Sequence, residues 1–136
     1  MARNNNAPCP CGSGIKFKRC CLPLHLGAAA ATPEALMRSR YAAYAVGDLD
    51  YVISTTDPEG PAYRRDRAAW TEELRQFAAL TTFEALEIRE VGPVTGDLGE
   101  VRFFARLRRG GADVSFEERS LFAHRGGRWY YVAARG

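Results

Sequence analysis

The sequence lacks several features that define large functional classes. It has no run of about eighteen apolar residues, so no helix is predicted to cross a bilayer. It has little charge imbalance, because 19 Lys and Arg against 16 Asp and Glu give a formal net charge of +3. That value is well below the basic excess expected of a dedicated duplex-binding protein. The 136 residues are also too few for two full domains, so we expect one compact domain with little left over.

The basic residues are unevenly placed. Residues 1–25 carry no acid, yet they hold both lysines of the chain, Lys16 and Lys18, together with Arg3 and Arg19. The remaining residues carry all of the acids, which outnumber their arginines by one. Such an asymmetry predicts an interacting surface near the N-terminus.

All four cysteines lie within residues 9–21, as Cys9, Cys11, Cys20 and Cys21. Four thiolates brought together by a short loop can complete a tetrahedral Zn²⁺ shell, since borderline-soft Zn²⁺ binds sulfur at about 2.3 Å. The intervening segment 12–14 is Gly-Ser-Gly, which permits the tight backbone turn that such a loop needs. We therefore predict one structural Zn²⁺, because a shell of four thiolates leaves no position at which water could be activated.

Two other interpretations of the cysteines were open. One is a pair of disulfides, although a bridge within Cys-x-Cys or between adjacent cysteines closes a strained ring. No secretory signal is recognisable either, so we expect a cytoplasmic protein in which thiols stay reduced. The other is replacement of one thiolate by His25, which the sequence favours less than a linker role for this residue. Because residues 1–25 cannot bury a core of their own, we expect them to be disordered without metal.

The run from Pro8 to Cys21 closely resembles the SEC-C motif, a zinc knuckle that also ends the motor ATPase of preprotein translocation. In that ATPase the motif binds a secretion chaperone and contacts ribosomes. The resemblance therefore implies docking on a chaperone, a translocation component or the ribosome. We expect the docking surface to be a basic, partly aromatic rim formed by Lys16, Phe17, Lys18 and Arg19.

The remainder of the chain changes its hydrophobic period halfway. Capping residues predict three helices, which begin after Thr32, Asp48 and Asp66 and span residues 33–46, 49–55 and 67–79. Alternating patterns separated by Gly-bearing turns then predict four strands, at 83–91, 100–108, 112–124 and 128–134. The expected fold is α+β, with three helices packed on a curved four-stranded antiparallel sheet that encloses a cone. We divide the chain into a knuckle (1–25), an Ala-rich connector (26–32) and this domain (33–136).

Two further stretches resemble the YchJ family. They are Ser-Arg-Tyr-Ala-Ala-Tyr at 39–44 and Glu-Arg-Ser-x-Phe at 118–122, the second leading into Gly-Arg-Trp-Tyr-Tyr at 127–131. The resemblance implies a core similar to the nuclear transport factor 2-like fold, which ketosteroid isomerase shares. Members of that wider fold include enzymes and plain binding proteins, so the resemblance assigns no reaction to this chain. The sequence identifies no catalytic residue, and we lean towards a protein that is not an enzyme.

The sequence nevertheless contains residues for a candidate pocket, centred on Glu118. Glu118 shares a predicted strand face with Val114, Phe116, Ser120, Phe122 and His124, most of which are apolar or weakly polar. A carboxylate there needs a partner, and we expect Arg40 of the first domain helix to supply it. The pair is either structural or part of a small-molecule pocket, whose candidate residues are Arg40, Tyr41, Tyr44, Glu118 and Trp129. We expect His124 to be an exposed turn histidine.

A third possibility is weak binding of single-stranded nucleic acid by Lys16, Lys18, Arg19 and the arginines of the second strand. Arg102, Phe104, Arg106 and Arg108 alternate onto one face of the second strand, next to Arg109, and such a pattern can hold phosphates and stack on bases. An ordinary solvated strand face has the same pattern, and the nearby Glu100, Glu117 and Glu118 reduce the positive field. We therefore favour docking by the knuckle over the pocket and the nucleic-acid hypotheses.

Overall fold

The computed structural model describes residues 4–135. The described part of the knuckle begins with a loop closed by an antiparallel bridge between Pro8 and Lys16. Gly12 and Gly14 adopt φ values of 82° and 83°, the left-handed conformation that the Gly-Ser-Gly turn was predicted to need. A single 3₁₀ turn, Phe17–Arg19, and a short helix, α1 (Leu22–His25), complete the knuckle.

The three predicted helices are present, with ends within one residue of the predicted ones. They are α2 (Pro33–Val46), α3 (Leu49–Ser54) and α4 (Arg67–Leu80). The Thr32 hydroxyl accepts a hydrogen bond from the backbone N–H of Ala35 at 3.0 Å, which caps α2. Asp48 and Asp66 cap α3 and α4 in the same way. None of the helices described in residues 4–135 has the length and hydropathy needed to cross a bilayer.

A single antiparallel sheet follows the helices. Its strands are β1 (Thr81–Val91), β2 (Leu98–Arg109), β3 (Ala112–Asp113), β4 (Phe116–Arg125) and β5 (Arg128–Ala134). The long strands lie in the order β1-β2-β4-β5, and the short β3 pairs with the end of β2. The end of α3 is fastened to β5, because the N–H of Asp57 donates to Tyr131 O and the N–H of Tyr131 donates to Thr55 O, both at 2.8 Å.

The prediction of one continuous strand over 112–124 is wrong. The chain leaves the ladder at Val114 and Ser115, so the predicted strand is divided into β3 and β4. One backbone bond to β2 remains here, from the N–H of Val114 to Leu107 O at 3.0 Å. Side chains supply the others: Ser115 Oγ accepts from the N–H of Leu107 at 2.9 Å, and Asp113 Oδ1 accepts from the N–H of Ser115. Val114 consequently lies outside the strand face on which we placed it.

The core lies between α2 and the concave face of the sheet. Leu36, Met37 and Tyr41 of α2 are buried against side chains of the central strands, among them Val101, Phe103 and Phe122. Gly99 of β2 allows the close approach of the first turn of α2, since a Cβ at this position would lie 2.7 Å from Cγ of Pro33. One face of α2 therefore packs on the sheet and closes the core.

Candidate metal centre and cavity

The four cysteines form one cluster. Their Sγ atoms all lie within 4.8 Å of one another. The distance is 3.6 Å between Cys11 and Cys20 and 3.8 Å between Cys20 and Cys21. A tetrahedral ion with sulfur ligands at about 2.3 Å requires ligand separations of about 3.8 Å. The donor set and its spacing therefore fit one four-coordinate metal ion. All four residues are free thiols, so the alternative of two disulfides is wrong.

Local hydrogen bonds hold the loop in this shape. The N–H of Cys9 donates to Ile15 O at 2.8 Å, and the N–H of Gly12 donates to Cys9 O at 3.1 Å. Ser13 Oγ lies 3.1 Å from Cys20 Sγ, within hydrogen-bond distance of a ligand sulfur. Hydrogen bonds from the thiols of Cys21 and Cys9 lower the pKa of Cys11, and the same hydrogen bonds with Cys11 raise the pKa values of Cys9 and Cys21, so without a metal the cluster favours one thiolate among neutral thiols.

The cluster is packed on α2. Cys9, Cys11 and Cys21 are buried together with Phe17 and Ala42 of the helix. Arg38 Nη1 donates to the carbonyl oxygen of Cys11 at 2.8 Å, a contact that the sequence analysis missed. The spacing of Arg38 from Glu34 signals only an ordinary pair within the helix, so the sequence carries no sign of this second role.

His25 lies outside the cysteine cluster. Its Nε2–H donates to the carbonyl oxygen of Ser39 at 2.8 Å, and its ring packs against Phe17 and Tyr51. The expectation of a simple linker residue is therefore wrong, because His25 fastens α1 to α2. At least two hydrogen bonds from side chain to backbone join the knuckle to α2. One is donated by His25 of the knuckle and the other by Arg38 of the helix.

Three of the four predicted docking residues are at the surface. Lys16, Lys18 and Arg19 are exposed, and none of them forms an ion pair within residues 4–135. We call these three the knuckle bases. The inclusion of Phe17 is wrong, because it is only 3% exposed and packs with the cysteines. The 3₁₀ turn points its first residue at the cluster and the next two at solvent.

The arginines of β2 differ from the knuckle bases. Arg102 pairs with Glu117 at 3.0 Å, Arg106 with Glu87 at 3.4 Å, and Arg108 with Glu84 at 3.3 Å. The ring of Phe104 is covered by the guanidinium groups of Arg89 and Arg106, at 5.2 and 5.5 Å. This strand face is therefore a lattice of paired charges, which leaves neither free cations nor an open ring for a nucleic acid.

A cavity of about 190 Å³ lies between α2 and the sheet. We call it the aromatic cavity, because its walls include Phe77 of α4, Phe83 of β1, Phe103 of β2 and Phe116 of β4. Four of the five predicted pocket residues line it: Arg40, Tyr41, Tyr44 and Glu118.

Trp129, the fifth predicted pocket residue, does not line the aromatic cavity. It lies closer to the β4–β5 turn than Tyr131 does. There it borders a separate cavity together with His25 and other residues of the segment 24–30. Its ring packs against His124, with centroids 4.9 Å apart. His124 is therefore half-buried rather than the exposed turn residue that we expected.

The predicted direct pair between Arg40 and Glu118 is wrong. The buried Arg40 donates from Nη1 to Val52 O, Thr55 Oγ1 and Thr56 Oγ1, at 2.9, 2.8 and 3.2 Å. Glu118 Oε2 accepts from Ser120 Oγ at 2.6 Å and from Tyr131 Oη at 3.0 Å. The Tyr131 ring links the two charges, since the guanidinium lies 4.6 Å from its centroid. Burial and the Glu118 charge raise the pKa of Tyr131, so its hydroxyl stays a donor.

Two family models match the chain. The model described as "YchJ, middle NTF2-like domain" matches residues 32–134, and the SEC-C motif model matches residues 6–23. A UPF0225 protein of Xanthomonas oryzae is 40% identical over 134 residues, covering 96% of this chain and 95% of the relative.

Two solved structures are similar over nearly the whole chain. A SEC-C motif containing protein from Rhodopseudomonas palustris is 41% identical with a TM-score of 0.80, covering 96% of this chain and 98% of that one. A SEC-C motif containing protein from Psychrobacter arcticus is 23% identical with a TM-score of 0.77, covering 95% of this chain and 82% of that one. The second likeness shows the shared fold alone.

Proposed function

The chain belongs to the YchJ (UPF0225) family, and from this premise we propose that it is a zinc-stabilised docking protein whose knuckle binds an acidic surface on another protein. The proposal has two parts, the identity of the metal and the nature of the partner.

The metal of the proposal is zinc. A tetrahedral site of four sulfur ligands is typical of Zn²⁺ or of an iron–sulfur site, and the closed shell gives the ion a structural role. The ion supplies cross-links that fix the short loop, while Arg38 and Ser13 hold the backbone and a ligand sulfur. We expect elemental analysis of protein freshly purified without any chelator to find about one zinc ion per chain and no iron.

The proposed docking surface is formed by the knuckle bases. They are exposed, without an ion pair in the described residues, on a loop that is fixed to the domain, whereas Arg102, Arg106 and Arg108 of β2 are matched by glutamates. Unpaired cations on a fixed loop keep their positive potential, and the loop loses little backbone entropy when an acidic partner binds. Ile15, which is 50% exposed beside them, adds an apolar contact to this surface.

The partner we propose is a protein with an acidic surface in the bacterial cytoplasm, such as a secretion chaperone, a translocation component or a ribosomal protein. Resemblance of the knuckle to the SEC-C motif of the translocation ATPase supports this class of partner. The paired charges of β2 argue against single-stranded nucleic acid as the partner.

The test compares two charge-reversed variants of equal net charge in their zinc-loaded, full-length form. Lys16→Glu/Lys18→Glu alters the knuckle, and Arg65→Glu/Arg109→Glu alters two exposed arginines elsewhere that have no ion pair within the described residues. Proteins captured from bacterial lysate are quantified by mass spectrometry at low and high salt, with and without nuclease.

We expect wild type and the Arg65/Arg109 variant to enrich the same partners, and the knuckle variant to lose them. High salt should weaken the capture, because exposed charges are screened. Identical partner lists for all three proteins would refute docking by the knuckle. Loss of every partner after nuclease treatment would instead show that nucleic acid is bound.

A further inference from the structure

The aromatic cavity has the size of a ligand site for one ring. Its volume of about 190 Å³ exceeds the roughly 150 Å³ of an engineered cavity that accepts benzene. Tyr44, Phe77 and Phe83 form one wall, with ring centroids 5.7 to 6.2 Å apart. Phe116 borders the cavity from β4 and is 42% exposed, so the cavity is accessible beside it. Such apolar walls with few polar groups are typical of small-molecule sites.

Arg40 offers hydrogen-bond donors at the wall of the aromatic cavity. The residue lines the cavity and is 7% exposed. All three of its hydrogen bonds leave from Nη1, and no residue within 4–135 accepts from its Nε or Nη2. These N–H groups can therefore donate to an acceptor such as a carbonyl oxygen on a molecule in the cavity.

Glu118, which also lines the cavity, offers an acceptor. Both hydrogen bonds to Glu118 reach Oε2, so Oε1 has no donor within the described residues. Tyr131 links the two charged groups, because its ring lies under the Arg40 guanidinium and its hydroxyl is bonded to Glu118. The cavity wall thus presents a donor and an acceptor that are both held by one side chain.

The opposite charges of Arg40 and Glu118 favour a ligand without net charge. An anion would gain at Arg40 and be repelled by Glu118, and a cation would meet the opposite problem. A neutral molecule with an acceptor and a donor satisfies both groups and loses less hydration when it enters. We propose that the aromatic cavity binds a neutral, single-ring molecule carrying a carbonyl-type acceptor next to an N–H or O–H donor.

Three probes that share one ring test this proposal: benzamide, benzoate and benzylammonium. Each is titrated into ¹⁵N-labelled, zinc-loaded, full-length protein, and the Arg40 Nε–H signal and the amides of Ser120 and Tyr131 are followed by NMR. We expect benzamide to bind with a dissociation constant on the order of 1 mM, at least about threefold tighter than either charged probe. Intermolecular NOEs should connect its ring to Phe103 and Phe116.

Two variants provide the matched comparison. Ala105→Leu replaces a methyl group on the cavity wall by an isobutyl group and should abolish benzamide binding. Ala112→Leu makes the same change at an exposed position of β3 and should leave binding unchanged. If Ala105→Leu fails to fold, the NOEs in the wild-type protein still decide where the probe binds.

Tighter binding of benzoate or benzylammonium would refute the neutral ligand. The proposal is also overturned if benzamide causes no shift at 20 mM, on the order of twenty times the expected dissociation constant. Binding that persists in a folded Ala105→Leu variant, or NOEs to residues outside the cavity, would refute the site.

Discussion

Arg38 of α2 donates a 2.8 Å hydrogen bond from Nη1 to the main-chain carbonyl of Cys11. The same guanidinium pairs through Nε with Glu34, one helical turn earlier. Glu34 thus orients the side chain, and Arg38 carries a positive charge to the backbone of a cysteine ligand. A zinc ion with four thiolates would be formally a dianion, so this charge is favourably placed.

Replacement of Arg38 by alanine should weaken metal binding. The change removes a charged hydrogen bond worth about 1.5–3 kcal/mol and leaves the Cys11 carbonyl without that donor. We expect faster zinc release to a chromogenic chelator, by about tenfold or more. Glu34→Ala is the comparison, because it removes the ion pair that orients Arg38 and keeps the donor itself, so we expect a smaller increase in the release rate than for Arg38→Ala. Equal release rates for wild type and Arg38→Ala would contradict this prediction.

Removal of the metal should unfold the knuckle and leave the rest of the domain folded. Without the ion, the segment retains the burial of Phe17 and a few cysteines against Ala42 and the hydrogen bonds of Arg38 and His25, which are too few to replace four metal cross-links. After chelation we expect the ¹⁵N–¹H signals of residues 4–25 to collapse to random-coil positions while those of the sheet persist. The sheet should lose about 1–3 kcal/mol, the contribution of one large apolar side chain.

The control for this experiment is restoration of the signals by one equivalent of Zn²⁺. A Cys20→Ser/Cys21→Ser variant should resemble the chelated protein without any chelator. The prediction is wrong if the knuckle signals stay dispersed once the metal content has fallen well below stoichiometry.

Alkaline pH should destabilise the fold through its buried tyrosines. Burial raises the pKa of Tyr41 to about 12 and also raises the pKa values of Tyr44, Tyr51 and Tyr131. In the unfolded chain these phenols ionise near pH 10. The stability associated with the protonated phenols is therefore complete below pH 10 and declines as the pH rises from 10 through 12.

Urea unfolding at a series of alkaline pH values measures this decline. Tyr41→Phe should flatten it, because that variant has one fewer buried phenol to ionise. The absorbance of ionised tyrosine gives a second readout. The difference between the pH titrations of wild type and Tyr41→Phe reports the ionisation of Tyr41. If this difference appears near pH 10 while the protein is still folded, the burial argument is wrong.

Gly99→Ala should destabilise the contact between α2 and β2. The added Cβ would lie 2.7 Å from Cγ of Pro33, and neither the proline ring nor the central strand can move easily. We expect a loss of about 1–3 kcal/mol in the free energy of unfolding, typical of overpacking. Gly92→Ala is the control, since its Cβ would be 3.4 Å from the nearest atom. Equal stability of the two variants would contradict the close approach.

The helices were predictable because their signals are local. Thr32, Asp48 and Asp66 each accept a backbone hydrogen bond three residues later, a relation that the sequence displays directly. The division of the predicted third strand was not predictable, because Ser115 reaches across to the backbone of Leu107. Such a replacement of ladder bonds depends on the register of a neighbouring strand.

The site was predictable where residues are close in sequence. The cysteine cluster follows from spacing, and Tyr41 and Tyr44, three residues apart on one helix, both line the cavity. Arg40 also lines it, but the direct pair with Glu118 for which it was chosen is absent from the described residues. The burial of Phe17 and the contact of Arg38 with Cys11 depend on packing between the knuckle and α2. The link from Arg40 to Glu118 through Tyr131 likewise requires three elements to be in place.

Helix α2 faces both candidate sites. Arg38 and Ala42 contact the knuckle, whereas Arg40, Tyr41 and Tyr44 border the aromatic cavity. One helix thus borders both the cysteine cluster and the aromatic cavity, so the proposed metal and the proposed guest would have a common structural support. Thermodynamic linkage is reciprocal: whatever factor zinc occupancy applies to guest affinity, the guest must return to zinc. The change in guest affinity caused by zinc, or the change in zinc affinity caused by the guest, therefore gives the same coupling free energy.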